Sequence, residues 1–525
     1  MKEYGLIVGQ SNPSFYEFNI IDPDYRPVNY EYVQVEVEEF KPDGSREKHQ
    51  VLGQVKSLTA RHPFYDQRTT PGAAWRQREL GVAEDMIQVI ASAKVLGYII
   101  EEGGRRDVRR PRSPPMPGTP VHRASDELLQ QLFTVPEDEL PLDVGSLLHR
   151  QQIKIPISGR ELHRHTAVLA MTRYGKSYFA GRIIEQLLKQ GATILTIDAH
   201  GDYANMTLDA QGRQHPLFWD KVKVFRPEAA EYFEGPHVRP LRLSVSGCSL
   251  GELCALARIT GAKQKLVLKR AIKRINSVSY TLDQIIDELE KEYDQETAEN
   301  QKRISDIMNY IDDLNDWGIF TEGDLDIKDL FKPMQMNDIY LSGISDYVQD
   351  VLVGMILRRV FDAKFKRKPW ARLPIFIFVE EAHRFAAPPD MGGGRFSRDI
   401  LARIAAEGAK FGVFLTIISQ RPRKIDPDIL SNCSNLAILR VVNNTDQHTI
   451  QAASESFSED LLDDLPALEQ GEAVLVGPFV PVPVMIKTAT RETKHGGTTP
   501  DVFGLLKEAR NQLEEEEEKK SIRLH

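Results

Sequence analysis

The octapeptide Ala170-Met-Thr-Arg-Tyr-Gly-Lys-Ser177, AMTRYGKS, nearly fits the phosphate-binding loop G-x-x-x-x-G-K-[ST]. Phosphate binding needs inward-pointing backbone N–H groups, a helix N-terminus and one cation. Gly175 lets the backbone approach the phosphates, Lys176 reaches the β- and γ-oxygens, and Ser177 offers a hydroxyl to Mg²⁺. Thr172, Arg173, Tyr174 and Tyr178 complete the candidate nucleotide-contacting set. Side chains between the anchors can point away from a nucleotide, so the bulk of Arg173 and Tyr174 does not disqualify the loop. Ala170 stands where the motif has glycine. If that position takes a positive φ, alanine costs about 1 kcal/mol; if not, it costs little.

A second stretch carries acids. In IFIFVEEAH, Glu380 and Glu381 directly follow five apolar residues. A phosphate-loop ATPase needs one acid near hydrated Mg²⁺ and a base for the attacking water. Adjacent residues in a strand face opposite ways, so the expectation is Glu380 at the metal, with Ser177, and Glu381 at the water. The alternative is an acid-rich helix N-terminal turn. His383 either links this site to another or is merely packed. In FLTIISQRP, Gln420 is a candidate γ-phosphate sensor or a structural glutamine. Asp198 closes the strand ATILTID in a comparable position. Ligands gather at the carboxyl edge of an open parallel sheet, where Lys176, Asp198, Glu380 and Gln420 are expected to converge.

These residues must be positioned by a scaffold. GLIVGQ, FYEFNII, YVQVEVEEF and HQVLGQVKSL read as short strands separated by turn clusters, which suggests a small barrel. One helix is expected near Leu80–Ser92. Arg105, Arg106, Arg109, Arg110 and Arg112 then lie among prolines, as a basic linker or as a strap across a neighbour. From about Ile153 the pattern becomes strand, loop, helix, strand, the context that a phosphate loop demands. Residues 249–335 lose strand character. In TLDQIIDELEKEY, apolar residues follow helical spacing and Thr281 with Gln284 resembles a capping box. The apolar runs at 375–379, 414–418 and 436–439 suit parallel strands buried on both faces. LEEEEEKK near the end reads as a solvated helix or frayed tail. The expected fold class is α/β: a RecA-like phosphate-loop core with a parallel sheet, an N-terminal small β-barrel and an inserted helical bundle. The expected domains are a barrel over 1–120, the core's first part over 121–248, the helical insertion over 249–335, the core's second part over 336–490, and a strap with acidic tail over 491–525.

The 525 residues carry a formal net charge of −9, so any nucleic-acid contact must be local rather than a global basic field. Three cysteines make neither an even disulfide framework nor a zinc pattern, which favours a reducing, cytoplasmic setting. The start lacks the form of a signal peptide. No apolar run is long enough for a membrane helix, so no membrane partner is expected.

These residues resemble the HerA family of hexameric DNA translocases, in the HerA–FtsK branch of phosphate-loop ATPases. RHTAVLAMTRYGKS is similar to the family's phosphate loop, FVEEAHRF to its acidic motif, and EGAKFGVFLTIISQRPRKIDPDILSNCSNLAILRVVN to its long C-terminal signature. The resemblance covers nearly the whole chain. It implies an ATP-dependent, Mg²⁺-requiring double-stranded DNA translocase or helicase. It also implies a homo-hexameric ring paired with a nuclease, often NurA-like, in DNA end processing or phage defence. A ring scaffold that activates a partner nuclease with little motor work is the alternative. The resemblance gives Lys176 and Ser177 nucleotide and metal roles, Glu380 and Glu381 metal and water roles, and Gln420 a sensor role. It also implies an arginine finger from the next subunit, with Arg164 and Arg440 as candidates. The family often has arginine where Ala409 stands. Candidate DNA contacts are Arg395, Arg398, Arg421, Arg423 and Lys424, each otherwise a solvated charge. Such contacts would be salt-dependent and sequence-blind.

Overall fold

A computed structural model describes residues 3–22, 24–40, 43–62, 69–79, 87–102, 105–277, 279–294, 297–320, 325–389, 395–454, 459–496, 502–504 and 506–512. The chain divides into two compact units. One comprises 1–195, 326–335 and 346–490; the other comprises 196–325, 336–345 and 491–525.

The first unit begins with a closed antiparallel barrel. Strands Phe15–Ile20, Glu3–Asn12, Pro120–Arg123, Tyr32–Phe40, Arg46–Arg61 and Gln88–Glu102 pair in that order, and Phe15–Ile20 pairs back onto Gln88–Glu102 to close it. Alternation drives the closure. Val33, Val35 and Val37 turn inward from one strand and meet Val51 and Val55 of the next, while alternate residues face out. The helix expected near Leu80–Ser92 is absent at its described end. Residues 80–86 lie outside the described residues, the helix is Pro71–Glu79, and Gln88–Glu102 is strand. Val89, Ala91, Ala93 and Val95 are all buried, so a period of two places small residues on the barrel interior. Packing there overrides the helix preference of alanine.

The basic proline-rich stretch is part of this barrel. Arg105–Arg109 pairs with Gln88–Glu102 as an edge strand. Beyond it, the Pro115 carbonyl accepts from Ser11 Oγ at 2.5 Å and the Gly118 N–H donates to Ile7 O at 2.9 Å. The segment therefore runs across its own barrel.

The core of the first unit is a sheet in the order Ile375–Val379, Val413–Ser419, Thr166–Leu169, Asn435–Ile438, Glu472–Val476, Val484–Thr488, Pro141–Leu147, Arg150–Ser158. The first four strands are parallel, and three of them are buried at every residue, as parallel strands covered on both faces require. The last four are antiparallel, so the expected parallel sheet is mixed. The strand Thr193–Asp198 straddles the boundary between the units.

The second unit holds the parallel strands Val238–Pro240, Val222–Arg226 and Met336–Tyr340. It also holds the helices Leu250–Leu256, Ala262–Arg274, Leu282–Tyr293 and Ala298–Asn315. The Thr281–Gln284 capping box forms, and Ser249 with Glu252 makes a second one. Each satisfies two helix-end donors. The acidic run 514–518 lies outside the described residues.

Candidate nucleotide site

The strand Thr166–Leu169 leads into the loop, and the helix Lys176–Lys189 leaves it. Gly175 caps that helix at φ 96°. This left-handed conformation is one that glycine adopts freely, and it aims the first free N–H groups of the helix into the loop. Ala170 is not among the residues with positive φ. It is buried, and its N–H donates to Ser419 O at 3.2 Å. The substitution for glycine therefore carries no backbone strain. The strain falls on Arg173, at φ 68°, where a side chain costs on the order of 1 kcal/mol.

The acidic pair is not arranged by strand alternation. The strand ends at Val379, and Glu381 adopts φ 49°, ψ 44°. This left-handed turn brings both carboxylates to one side. Lys176 Nζ lies 2.5 Å from Glu380 Oε1 and 2.9 Å from Glu381 Oε1. Ser177 Oγ donates to the same Glu380 oxygen at 3.0 Å. A non-glycine residue held in this region of backbone space is costly and persists where its surroundings demand it.

Side-chain exposure is 12% for Lys176, 0% for Glu380 and 4% for Glu381, so these charges interact where water screens little. Burial works to lower the Lys176 pKa, yet the charges and hydrogen bonds of Glu380 and Glu381 win and hold the ammonium above its ordinary value. Burial likewise pushes the Glu381 carboxyl up, but His383 beside it and the Lys176 charge hold it down at about 2. His383 Nδ1 sits 3.1 Å from Glu381 Oε2 and 3.2 Å from Ser419 Oγ.

Around this centre, Gln420 Oε1 accepts a hydrogen bond from Thr172 Oγ1. Arg440 stacks its guanidinium over the Tyr174 ring, 5.1 Å from the centroid, and its carbonyl accepts from Met171 N–H at 2.8 Å. The Arg440 Nε is buried with no hydrogen-bond partner among the described residues. The structure thus puts Arg440 on its own phosphate loop. Tyr178 lies half-buried in the first turn of the helix.

Asp198 belongs to the second unit. Its carboxylate accepts from the backbone N–H groups of His200, Gly201, Asp202 and Tyr203 at 2.8–3.2 Å, so it organises its own turn. Arg164 is half-exposed, pairs with Glu161 at 2.9 Å, and precedes the strand whose far end carries the phosphate loop. Ala409 is exposed and precedes the strand Val413–Ser419 at its amino end. Arg398 donates twice to Asp426 Oδ2, at 2.9 and 2.7 Å. It therefore clamps the helix Arg395–Glu407 to the N-cap of Pro427–Ser431. The Arg395 side chain lies outside the described residues. Arg421 and Arg423 are exposed and Lys424 is half-buried, just past the end of the strand that Gln420 follows.

Two parts of the site leave no signal in the sequence. Ser419 ties His383 to the phosphate-loop strand, and nothing in the spacing marks a serine inside an apolar run. The Glu381 turn is equally silent, because the run IFIFVEE continues smoothly through it.

The sequence matches the model of the Helicase HerA central domain over residues 142–360. It is 31% identical over 422 residues to the DNA double-strand break repair helicase HerA of Sulfolobus acidocaldarius, covering 77% of this chain and 79% of that one. The protein of the same name from Sulfurisphaera tokodaii is 29% identical over 490 residues, or 89% and 91% of the two chains. A probable helicase of Methanocaldococcus jannaschii is 31% identical over 433 residues, 78% of each chain. Among the described residues no helix is long and apolar enough to cross a membrane. With a phosphate loop, an acidic pair on its lysine and this degree of similarity, the chain belongs to the HerA helicase family and is a phosphate-loop ATPase.

Proposed function

We propose that this chain is an ATP-driven double-stranded DNA translocase or helicase that works as a homo-hexameric ring with a nuclease partner in DNA end processing. The observation that carries the reading is the meeting of Lys176 with both Glu380 and Glu381, in a chain related to repair helicases. Lys176 is held by the two carboxylates until ATP phosphates compete for it. The helix N-terminus at Gly175 then offers free N–H groups to the same phosphates. Ser177 and Glu380 form a hydroxyl–carboxylate pair 3.0 Å apart, a hard-oxygen set that fits Mg²⁺. Bound there, Mg²⁺ would neutralise charge on the transferring phosphoryl group. Glu381, ionised throughout the neutral range, takes the base role toward the attacking water, and His383 fixes its orientation. Gln420, hydrogen-bonded to Thr172, reports the state of the phosphate loop to the exposed Arg421 and Arg423 and the half-buried Lys424, which contact DNA backbone.

Arg440, stacked over Tyr174 of its own loop, serves the cis nucleotide. Arg164 lies at the other edge of the sheet and is the better candidate for reaching a neighbour's site. The test is ATP hydrolysis with and without duplex DNA. Wild type is expected to be stimulated by DNA, and Glu381→Gln is expected to bind ATP without turning it over. Normal hydrolysis by Glu381→Gln would sink the base assignment.

A second reading, a ring scaffold that activates a nuclease with little motor work, is favoured by Ala409, where the family often has arginine. On that reading Lys176→Ala leaves the partner bound and active.

A further inference from the structure

We infer that the helix Ala262–Arg274, in the helical insertion, is a second binding surface for the phosphate backbone of duplex DNA. The inference rests on the reading of the chain as a DNA-acting motor.

The helix AKQKLVLKRAIKR carries six basic residues and no acidic one, in a chain of net charge −9. Val267, Leu268 and Ala271 are buried and fix which face packs inward. At 3.6 residues per turn the outward face carries two rows of cations. One row is Lys263, Arg270 and Arg274; the other is Lys265, Lys269 and Lys273, and all six are exposed. Leu266, 55% exposed, lies between the rows.

The two rows differ in their partners. Arg270 and Arg274 both pair with Glu292, at 2.7 and 3.0 Å, and so staple this helix to Leu282–Tyr293. Lys265, Lys269 and Lys273 have no carboxylate partner among the described residues. They stand four residues apart, a spacing at which like charges repel and weaken a helix. Elsewhere this chain fills that spacing with opposite charges, as in Arg213–Asp209, Lys366–Asp362 and Arg403–Glu407. The lysines of this row repel one another along the helix, and the rationale for the row lies in a polyanionic partner. From Lys265 to Lys273 it spans about 12 Å, a length of duplex axis that carries about seven phosphate charges. Lysines reach such charges without reading base sequence.

The experiment measures duplex DNA affinity of the full chain by fluorescence anisotropy across a salt series. Wild type is compared with a Lys265→Gln/Lys269→Gln/Lys273→Gln triple variant, the single Lys269→Gln, and a triple Lys→Arg variant. Folding is checked by thermal melts, and assembly size by sedimentation. Each phosphate contact contributes about 0.9 to the slope of log affinity against log salt. The triple glutamine variant should lose between two and three units of slope, the single variant about one, and the arginine variant none. A wild-type slope retained in the triple glutamine variant overturns the inference and leaves the proposed function intact. So does an unchanged slope with a smaller assembly, which would assign the row to an acidic face of a second copy. Failure of wild type to bind duplex at any salt overturns the proposed function itself.

Discussion

His383 Nδ1 stands 3.1 Å from Glu381 Oε2 and 3.2 Å from Ser419 Oγ, between the Glu381 carboxylate and the strand end that leads to Gln420. The Ser419 carbonyl in turn accepts from Ala170 N–H. One imidazole thus connects the acidic turn to the phosphate-loop strand.

His383→Ala should therefore act on turnover rather than on ATP binding. Loss of an orienting group around a general base costs on the order of tenfold or more in kcat, with KM for ATP little changed. The pH profile is the discriminating readout. In wild type Glu381 titrates at about 2 against an ordinary 4.5, so no kinetic limb from this group appears between pH 5 and 9. Without His383 the carboxyl pKa rises and the acid limb moves toward neutrality. An unchanged kcat and profile would make His383 a packing residue.

Lys176→Ala, the usual way to silence a phosphate loop, should not be a clean lesion here. It leaves two buried carboxylates, Glu380 and Glu381, facing each other without their cation. Removing one partner of a buried charge set costs about 3–5 kcal/mol. The nucleotide-free variant should melt several degrees below wild type, and Lys176→Ala/Glu380→Gln should recover most of the loss. Equal melting of wild type and the single variant would show that the ion pairs contribute nothing net.

Restoring the motif glycine should not improve the enzyme. Ala170 is buried without a positive φ, so Ala170→Gly frees the unfolded chain and relieves nothing in the folded one. The expected effect is a loss of roughly 0.4–1 kcal/mol, read by denaturant unfolding, with kcat for ATP unchanged or lower. A gain in turnover would mean that the loop moves through a left-handed conformation at Ala170 during catalysis.

Ala170 also shows what a sequence can and cannot disclose. The loop, the acids and the glutamine were legible because phosphate chemistry restricts residue types at short spacings. Which loop residue bears the left-handed backbone was not, because the motif places glycine by frequency while the fold places φ by geometry. The same holds for Glu381. Alternation predicts opposite faces for adjacent glutamates, and a single residue at φ 49° cancels it. Asp198 fits the pattern of a strand-end acid, yet four backbone N–H groups of its own turn claim it. Whether a carboxylate is free depends on the path of the residues that follow it, which no residue type states.

Arg398 gives a contrast between a structural cation and those proposed to contact DNA. Its two bonds to Asp426 make it a clamp, whereas Arg421 and Arg423 are exposed. Arg398→Ala should lower the melting temperature and leave the salt slope of DNA binding nearly unchanged. Arg421→Ala/Arg423→Ala should do the reverse, reducing the slope by up to about two units. The opposite pattern would move the DNA path to the Arg398 helix.

Acid should loosen the core through His165. This residue is 3% exposed, and its Nδ1 accepts from the Leu415 N–H at 3.0 Å, between the phosphate-loop strand and its neighbour. Burial holds its pKa down at about 4 against an ordinary 6.5, although backbone contacts at Ala405 and Ile404 pull the other way. Because the folded pKa lies below the unfolded one, the unfolded chain takes up the proton first as pH falls. The cost to stability is absent above pH 6.5, grows as pH drops toward 4, and levels off below it, at roughly 3 kcal/mol from one pKa unit being about 1.4 kcal/mol. His165→Gln, which carries both a donor and an acceptor, should flatten the stability profile across that window. Equilibrium unfolding of wild type and variant at pH 7, 6, 5 and 4 measures it. Parallel curves for the two proteins would show that other groups carry the acid sensitivity.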